Sequence, residues 1–329
     1  MGDDPVMHSD TRPADQPTLA VIIVSWNVRA LLAACLQSLT PDSCSLLPEV
    51  VVVDNASADG SAAMVAAEFP WVRLIANTEN RGFTGGNNQG LAVSAGRYVF
   101  FLNPDTVVVG DALATMVAYL DAHPEVGALG PHLRYSDGSL QSSRRRFPTF
   151  ATALFESTPL AWRWPNNRWA RRYRMEDQPA DGVREVDWLV GAALMVRREV
   201  LNQVGGFDEG YFMYSEELDL CRRIKQAGWR IVYLPTAQII HYEGRSSEQI
   251  VAARHIRFQT SKVRYFRKFH GPLVAAALRV VILASFAVEW GIEAVKWLLG
   301  SQPRLRRERM AAYAKLLTSG LRSSMGGNK

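Results

Sequence analysis

Apolar residues fall into two patterns along the first hundred positions. Residues 19–24, 50–53 and 98–102 are unbroken runs rich in β-branched or aromatic side chains, which predicts buried strands. Residues 30–39 and 61–69 space their apolar side chains helically, and residues 72–75 predict one more short strand. The resulting β-α-β-α-β alternation implies parallel pairing with right-handed crossovers. Further along, residues 229–233 and 237–240 predict two strands. Residues 205–208 predict a turn, and residues 216–227 a helix with Ser215 as its N-cap.

Three of the early runs end in polar tips: Ser25 and Asn27, Asp54 and Asn55, Asn103 and Asp105. An open α/β sheet binds ligands at the carboxyl ends of its strands, so the three tips mark one candidate rim. A single Asp there could be a helix cap or a turn residue; three tips on one sheet are harder to assign to chance. Residues 77–90 hold Asn80, Gly82, Gly85, Gly86 and Gly90, and predict a loop whose backbone approaches a ligand before a helix at 91–95. This loop is neither a P-loop, lacking Gly-Lys-Ser/Thr, nor the dinucleotide-binding G-x-G-x-x-G.

The ordered set Val24-Ser25-Trp26-Asn27, Val53-Asp54-Asn55-Ala56-Ser57, Asn80-Arg81-Gly82-Phe83 and Leu102-Asn103-Pro104-Asp105 resembles the family 2 glycosyltransferases. The Asn-Pro-Asp form is similar to their rhamnosyltransferase branch. The likeness continues through Gly206-Phe207-Asp208-Glu209, the stretch from Ser215 to Arg223, and the stretch from His241 to Ser246, covering residues 18–270. It implies a GT-A type nucleotide-sugar-binding α/β fold, with a mostly parallel central sheet flanked by helices, and sugar transfer with inversion. It implies that Ser25, Asn27, Asp54, Asn55, Asn80, Gly82 and Asn103 contact the donor, and that Asp105 holds a divalent cation, Mg²⁺ or Mn²⁺, on the donor diphosphate. His241 becomes a second metal ligand by the same likeness. The family's metal motif is Asp-x-Asp; Asn103 at its first position keeps an oxygen but loses a charge, so metal should bind poorly without nucleotide.

Glu216, Glu217 and Asp219 crowd the first turn of their helix. Acids there complement the helix dipole. The alternative is a general base, which a weakly nucleophilic acceptor hydroxyl requires. The family places Glu-Asp at this point with the second residue as base, which carries the role to Glu217, with Glu216 beside it. Arg144, Arg145 and Arg146 form a basic cluster; Arg144 is the candidate clamp on a diphosphate.

With 329 residues, 48% of them hydrophobic, the chain can bury a large core. Cys35, Cys44 and Cys221 show neither metal spacing nor an even count, which fits a reducing cytoplasm. Residues 1–17 read as a disordered lead-in, 18–250 as the catalytic domain with an insertion near the site at 151–182, and 251–329 as a basic, apolar helical region. That last region carries 15 Lys and Arg against 3 Glu, a charge of +12 in a chain of +5.

On a helix over 272–299, with about 100° per residue, Arg279, Glu289, Glu293 and Lys296 share an arc of about 100° and the remainder is apolar. The pattern predicts amphipathic helices lying on an anionic membrane surface, or packed by the polar stripe on the catalytic domain, rather than a clean span. The expected enzyme is cytoplasmic and held at the inner membrane face; the resemblance of its Asn-Pro-Asp turn and Arg144–Pro148 segment to rhamnosyltransferases implies that it moves L-rhamnose from dTDP-L-rhamnose to a lipid-linked or glycan acceptor in envelope synthesis. A UDP-hexose or UDP-galactofuranose transferase is the runner-up. A sugar nucleotidyltransferase would want Arg and Lys in a Gly-rich segment directly after the first strand. A non-catalytic binder would have no use for Asp105, Glu217 and His241 together. No nucleic-acid motif occurs.

Overall fold

The computed structural model describes residues 17–158, 164–165, 167–242 and 251–322. Residues 1–16 of the expected lead-in and the 243–246 part of the His241 motif lie outside these residues. In chain order the elements are β1 (Leu19–Ser25), α1 (Arg29–Gln37), β2 (Glu49–Asp54), α2 (Ser61–Glu68), β3 (Arg73–Ala76), α3 (Gly82–Val93), β4 (Tyr98–Leu102), β5 (Thr106–Val109), α4 (Ala112–Ala122), β6 (Val126–Arg134), β7 (Leu140–Gln141) and β8 (Arg144–Arg145). Then come α5 (Phe150–Ser157), α6 (Arg168–Tyr173), β9 (Arg184–Glu185), β10 (Trp188–Leu189), β11 (Ala193–Arg197), α7 (Arg198–Val204), α8 (Glu216–Gln226), β12 (Arg230–His241), α9 (Val251–His270), α10 (Pro272–Leu298) and α11 (Pro303–Ser319).

The main sheet runs β3-β2-β1-β4-β11-β6-β12-β5. Its first four strands are parallel, as the alternation predicts, and β6 and β12 also pair in parallel. Strand β11 enters antiparallel between β4 and β6, and β5 closes the edge antiparallel to β12. Every residue of β1 is buried, because its side chains feed cores on both faces of the sheet. Val21 and Ile23 face the core shared with α1, α2 and α4. Ile22 faces a second core that takes in α8 and also Tyr265, Phe266, Leu278, Ile282 and Leu316 of the last three helices. Those helices therefore share the body's interior.

Three local expectations are corrected. The Gly-rich segment is not a loop until residue 91: helix α3 begins at Gly82. Its glycines let it lie close on β1, since a Cβ at Gly90 would stand 2.4 Å from Ile22 Cγ2 and one at Gly86 2.8 Å from Val24 Cγ1. The two strands expected around residues 229–240 form one strand, β12, whose register slips between Leu234 and Gln238. Ser215 precedes α8 in the left-handed region at φ 65° and makes no side-chain cap. The described part of the 151–182 insertion packs Tyr173 and Met175 into the second core and supplies no wall of the cavity described next.

Candidate active site

One cavity opens where the carboxyl ends of β1, β2 and β4 meet the start of α8, and Ser25, Asn55, Asn103, Asp105, Glu217 and His241 all line it. Parallel register sets the first part: Ser25 sits opposite Asp54, and the Asn55 N–H donates to the Ser25 carbonyl at 2.9 Å. The Asn55 side chain reaches back to the Gly82 carbonyl at 2.9 Å, and the Asn80 carboxamide accepts from the Gly82 N–H at 2.9 Å. Gly82 has φ +74°, and a Cβ there would strike the Phe212 carbonyl at 2.5 Å, so only glycine fits this cavity wall. Ser25 Oγ and Asp54 Oδ1 are buried with no protein partner, a costly state that a bound ligand would relieve.

The acid–imidazole pair comes from the opposite sheet edge. Antiparallel pairing of β5 with β12 sets His241 against Thr106, and the Tyr242 N–H donates to the Asp105 carbonyl at 2.9 Å. His241 Nε2 then lies 3.2 Å from Asp105 Oδ1, and its Nδ1 is 2.9 Å from Gln141 Oε1. A neutral ring that donates Nδ1–H to Gln141 presents its Nε2 lone pair beside the carboxylate, so the two can serve as neighbouring electron-pair donors. That spacing suits neighbouring ligands of one cation, and the Gln141 contact would hold the ring in the ligating tautomer. The Asn103 amide nitrogen is 3.5 Å from the same Nε2. Among the described residues no cluster of three or more His, Cys, Asp or Glu forms a metal site. A cation held by Asp105 and His241 would need further oxygen donors, such as those of a phosphorylated ligand, to complete its shell.

Glu216 and Glu217 open α8 directly after Tyr214 and Ser215, two consecutive non-glycine residues with positive φ of 72° and 65°. Such strain at the entrance to a cavity is characteristic of a side chain held for function. One carboxylate oxygen of each Glu is buried without a partner. Burial pushes the carboxyl of Glu216 well above the usual range, with the charge of Glu217 adding to it. Burial also raises Glu217, opposed by backbone N–H groups including that of Gly191 and by the nearby Arg145 charge. Two adjacent carboxyls pushed upward in a cavity are candidates to take up and release a proton in acid–base chemistry.

Not every expected residue reaches the cavity. Asn27 lies outside its walls; its carboxamide accepts from the Ala58 N–H and its own N–H donates to Ser57 Oγ, joining two rim loops. Asp54 is buried behind the wall and accepts from the Ser57 N–H. Arg144 is turned away: its guanidinium donates to the carbonyls of Pro179 and Gln178 and stacks over Tyr233. Of the basic cluster, Arg146 pairs with Asp177, and Arg145 is the one whose charge acts on Glu217. The structure adds walls that carried no assigned role in the sequence: Trp26 of the first motif, and Phe212, Arg254 and Arg257 outside the motifs, the two Arg from α9. Arg257 lies over the Phe212 ring at 4.1 Å. The spacing of two Arg one turn apart, just past the His241 motif, was the available signal.

The sequence family described as glycosyltransferase-like family 2 matches residues 17–259. An N-acetylglucosaminyl-diphospho-decaprenol L-rhamnosyltransferase of Mycobacterium tuberculosis is 33% identical over 251 residues, covering 73% of this chain and 81% of its own. The rhamnosyltransferase WbbL of Escherichia coli is 34% identical over 146 residues, 44% of this chain and 52% of its own. Among solved structures, a mannosyltransferase of Pyrobaculum calidifontis in complex with GDP-mannose and Mn²⁺ superposes with a TM-score of 0.54 at 20% identity, covering 94% of this chain and 90% of that one. GalNAc-T7 with UDP, GalNAc and Mn²⁺ gives 0.55 at 16% identity, over 78% of this chain and 48% of that one. The matched span takes in every residue that lines the cavity, and the strand tips, the Asn-Pro-Asp turn and the paired Glu all fall within it: the chain belongs to glycosyltransferase family 2.

Proposed function

We propose that this glycosyltransferase moves L-rhamnose from dTDP-L-rhamnose to a hydroxyl of a polyprenyl-diphosphate-linked sugar, with inversion at the anomeric carbon. One observation carries the mechanism: a buried, proton-hungry Glu217 and the Asp105–His241 pair line the same cavity. Asn55, Asn80 and the unpartnered Ser25 hydroxyl hold the nucleoside, with Asp54 behind them. Glu217 takes the acceptor proton as the hydroxyl oxygen attacks the anomeric carbon. The bond from that carbon to the β-phosphate oxygen breaks, and its electron pair leaves with dTDP. Asp105 and His241 would hold Mg²⁺ or Mn²⁺, which supplies neutralisation of the charge growing on the departing diphosphate. Glu216, whose carboxyl burial and the Glu217 charge push well above the usual range, stands beside Glu217.

Residues 18–250 form the catalytic body in this reading, and the enzyme works at the cytoplasmic face of the membrane where a lipid-linked acceptor is presented. The donor is supported by the similarity to two rhamnosyltransferases. Thermal-shift titration with dTDP and UDP in Mn²⁺, followed by transfer assays with dTDP-L-rhamnose and an N-acetylglucosaminyl-diphospho-polyprenol, tests it. A larger midpoint rise with dTDP and a product heavier by one deoxyhexose are expected. A clear preference for UDP overturns the donor assignment.

A further inference from the structure

Helix α10 is built inside out for a protein bathed in water. Its charges face the protein: Arg279 Nε donates to the Gly320 carbonyl at 2.6 Å, and Glu293, 3% exposed, accepts from Arg306 at 2.8 Å with Lys296 and Arg309 close by. The buried positions Ala275, Leu278, Ile282 and Glu293 fall between about 260° and 320° on a helix turning about 100° per residue, counted from Arg279. The opposite arc, from about 60° to 220°, holds only apolar residues and Gly291. Leu273, Val280, Val288, Ile292, Val295 and Leu298 on this arc are 40–85% exposed.

This patch is out of proportion to the rest of the surface. Among the described residues, ten of the twenty exposed large apolar side chains lie between Leu273 and Leu305. An apolar strip running the length of a 27-residue helix, about 40 Å, is the kind of contiguous exposed patch that marks an interaction site. The helix cannot be an isolated span, because it packs along α9, α11 and α5 of the body. The edge of the strip is basic. The Arg304 side chain is 97% exposed, Arg309 and Lys296 are about half exposed, and Arg307 lies over the Trp297 ring.

We infer that α10 lies in the plane of an anionic bilayer, its apolar arc sunk among the acyl chains, its charged arc neutralised by α11, and Arg304, Arg307 and Arg309 at the headgroups. The charge at the strip's edge selects lipid over an apolar protein groove. The inference deepens the lipid-linked acceptor reading, but its evidence lies in the helix alone, so vesicle binding can fail or hold whatever the donor proves to be.

The test uses the full chain and vesicles of phosphatidylcholine with or without phosphatidylglycerol. Wild-type protein is expected to float with the anionic vesicles and little with the neutral ones. The triple variant Val288→Glu/Ile292→Glu/Val295→Glu changes only exposed side chains, so its thermal midpoint should hold while vesicle binding falls about tenfold or more. Leu47→Glu, 62% exposed elsewhere, is the control and should bind as wild type. The three native cysteines are buried, so nitroxides can be placed at Val280, Ala284, Val288 and Val295 through single Cys substitutions. Equal immersion depths at all four are expected for an in-plane helix. A steady change of depth along the series would mean a span. No flotation, unchanged flotation of the triple variant, or a vesicle-free dimer that shields the labels would each overturn the inference.

Discussion

Replacing Glu217 by Gln probes the chemistry with almost no change of shape. The side chain keeps its length, and Gly191, whose added Cβ would sit 3.3 Å from Glu217 Cβ, keeps its fit against it. What disappears is the ability to take a proton. Positioned general bases contribute about 10²–10⁴ in rate, so kcat should fall by that factor, equivalent to about 2.7–5.5 kcal/mol of transition-state stabilisation. Donor affinity should stay, because Ser25, Asn55, Asp105 and His241 lie on or just past strands of the sheet and not on the helix that carries Glu217. Stability provides an internal check. A Glu whose folded pKa is raised above its ordinary 4.5 still holds a proton that the unfolded chain has released. Its contribution to stability therefore falls as pH climbs from about 4.5 through the raised folded value. The Gln variant lacks that loss, so its melting temperature at neutral pH should equal or exceed that of wild type. Single-turnover transfer measured across pH, beside nucleotide titration and thermal melts, separates these effects. In wild type, kcat/KM should rise with pH through the elevated Glu217 pKa, and this limb should vanish from the residual activity of the variant. Near wild-type turnover with the limb intact would remove Glu217 from the mechanism.

Glu216→Gln replaces the carboxyl that the Glu217 charge pushes upward and leaves Glu217 in place, so most of the turnover should remain with the rising pH limb still present; a loss as deep as that of Glu217→Gln would exchange their roles. EDTA should abolish transfer and Mn²⁺ or Mg²⁺ restore it, with His241→Ala needing more metal for half-activation; full activity in EDTA would leave arginines as the electrophiles. Gly90→Ala drives a methyl to 2.4 Å from Ile22 Cγ2 and should cost about 1–3 kcal/mol by overpacking. Gly291→Ala on α10 meets nothing within 4 Å and should gain up to about 1 kcal/mol from helix propensity, so denaturant melts shifting both variants the same way would contradict the packing argument.

The local code was sufficient for the early strands and their parallel pairing. Runs such as that of β1 are apolar at every position because both faces of a parallel sheet are covered, and this is legible without coordinates. The polar tips were equally legible, since a buried run that stops at Ser25, Asp54 or Asn103 has to stop at a sheet rim. Glycine misled at α3, where it reads as loop by intrinsic propensity; close packing on Ile22 and Val24, a long-range fact, makes it a helix. The meeting of Asp105 with His241 depends on an antiparallel register between residues more than a hundred positions apart. Whether Arg144 faces the cavity depends on carbonyls at Gln178 and Pro179 in a segment with no strong periodicity. Helix α10 divides the two kinds of knowledge most sharply. The 3.6-residue period alone placed Arg279, Glu289, Glu293 and Lys296 on one stripe. A period says which residues share a face but not what that face meets. Only the packing of α11 against the stripe, with Arg306 on Glu293, turned the charges inward and left the apolar arc outside.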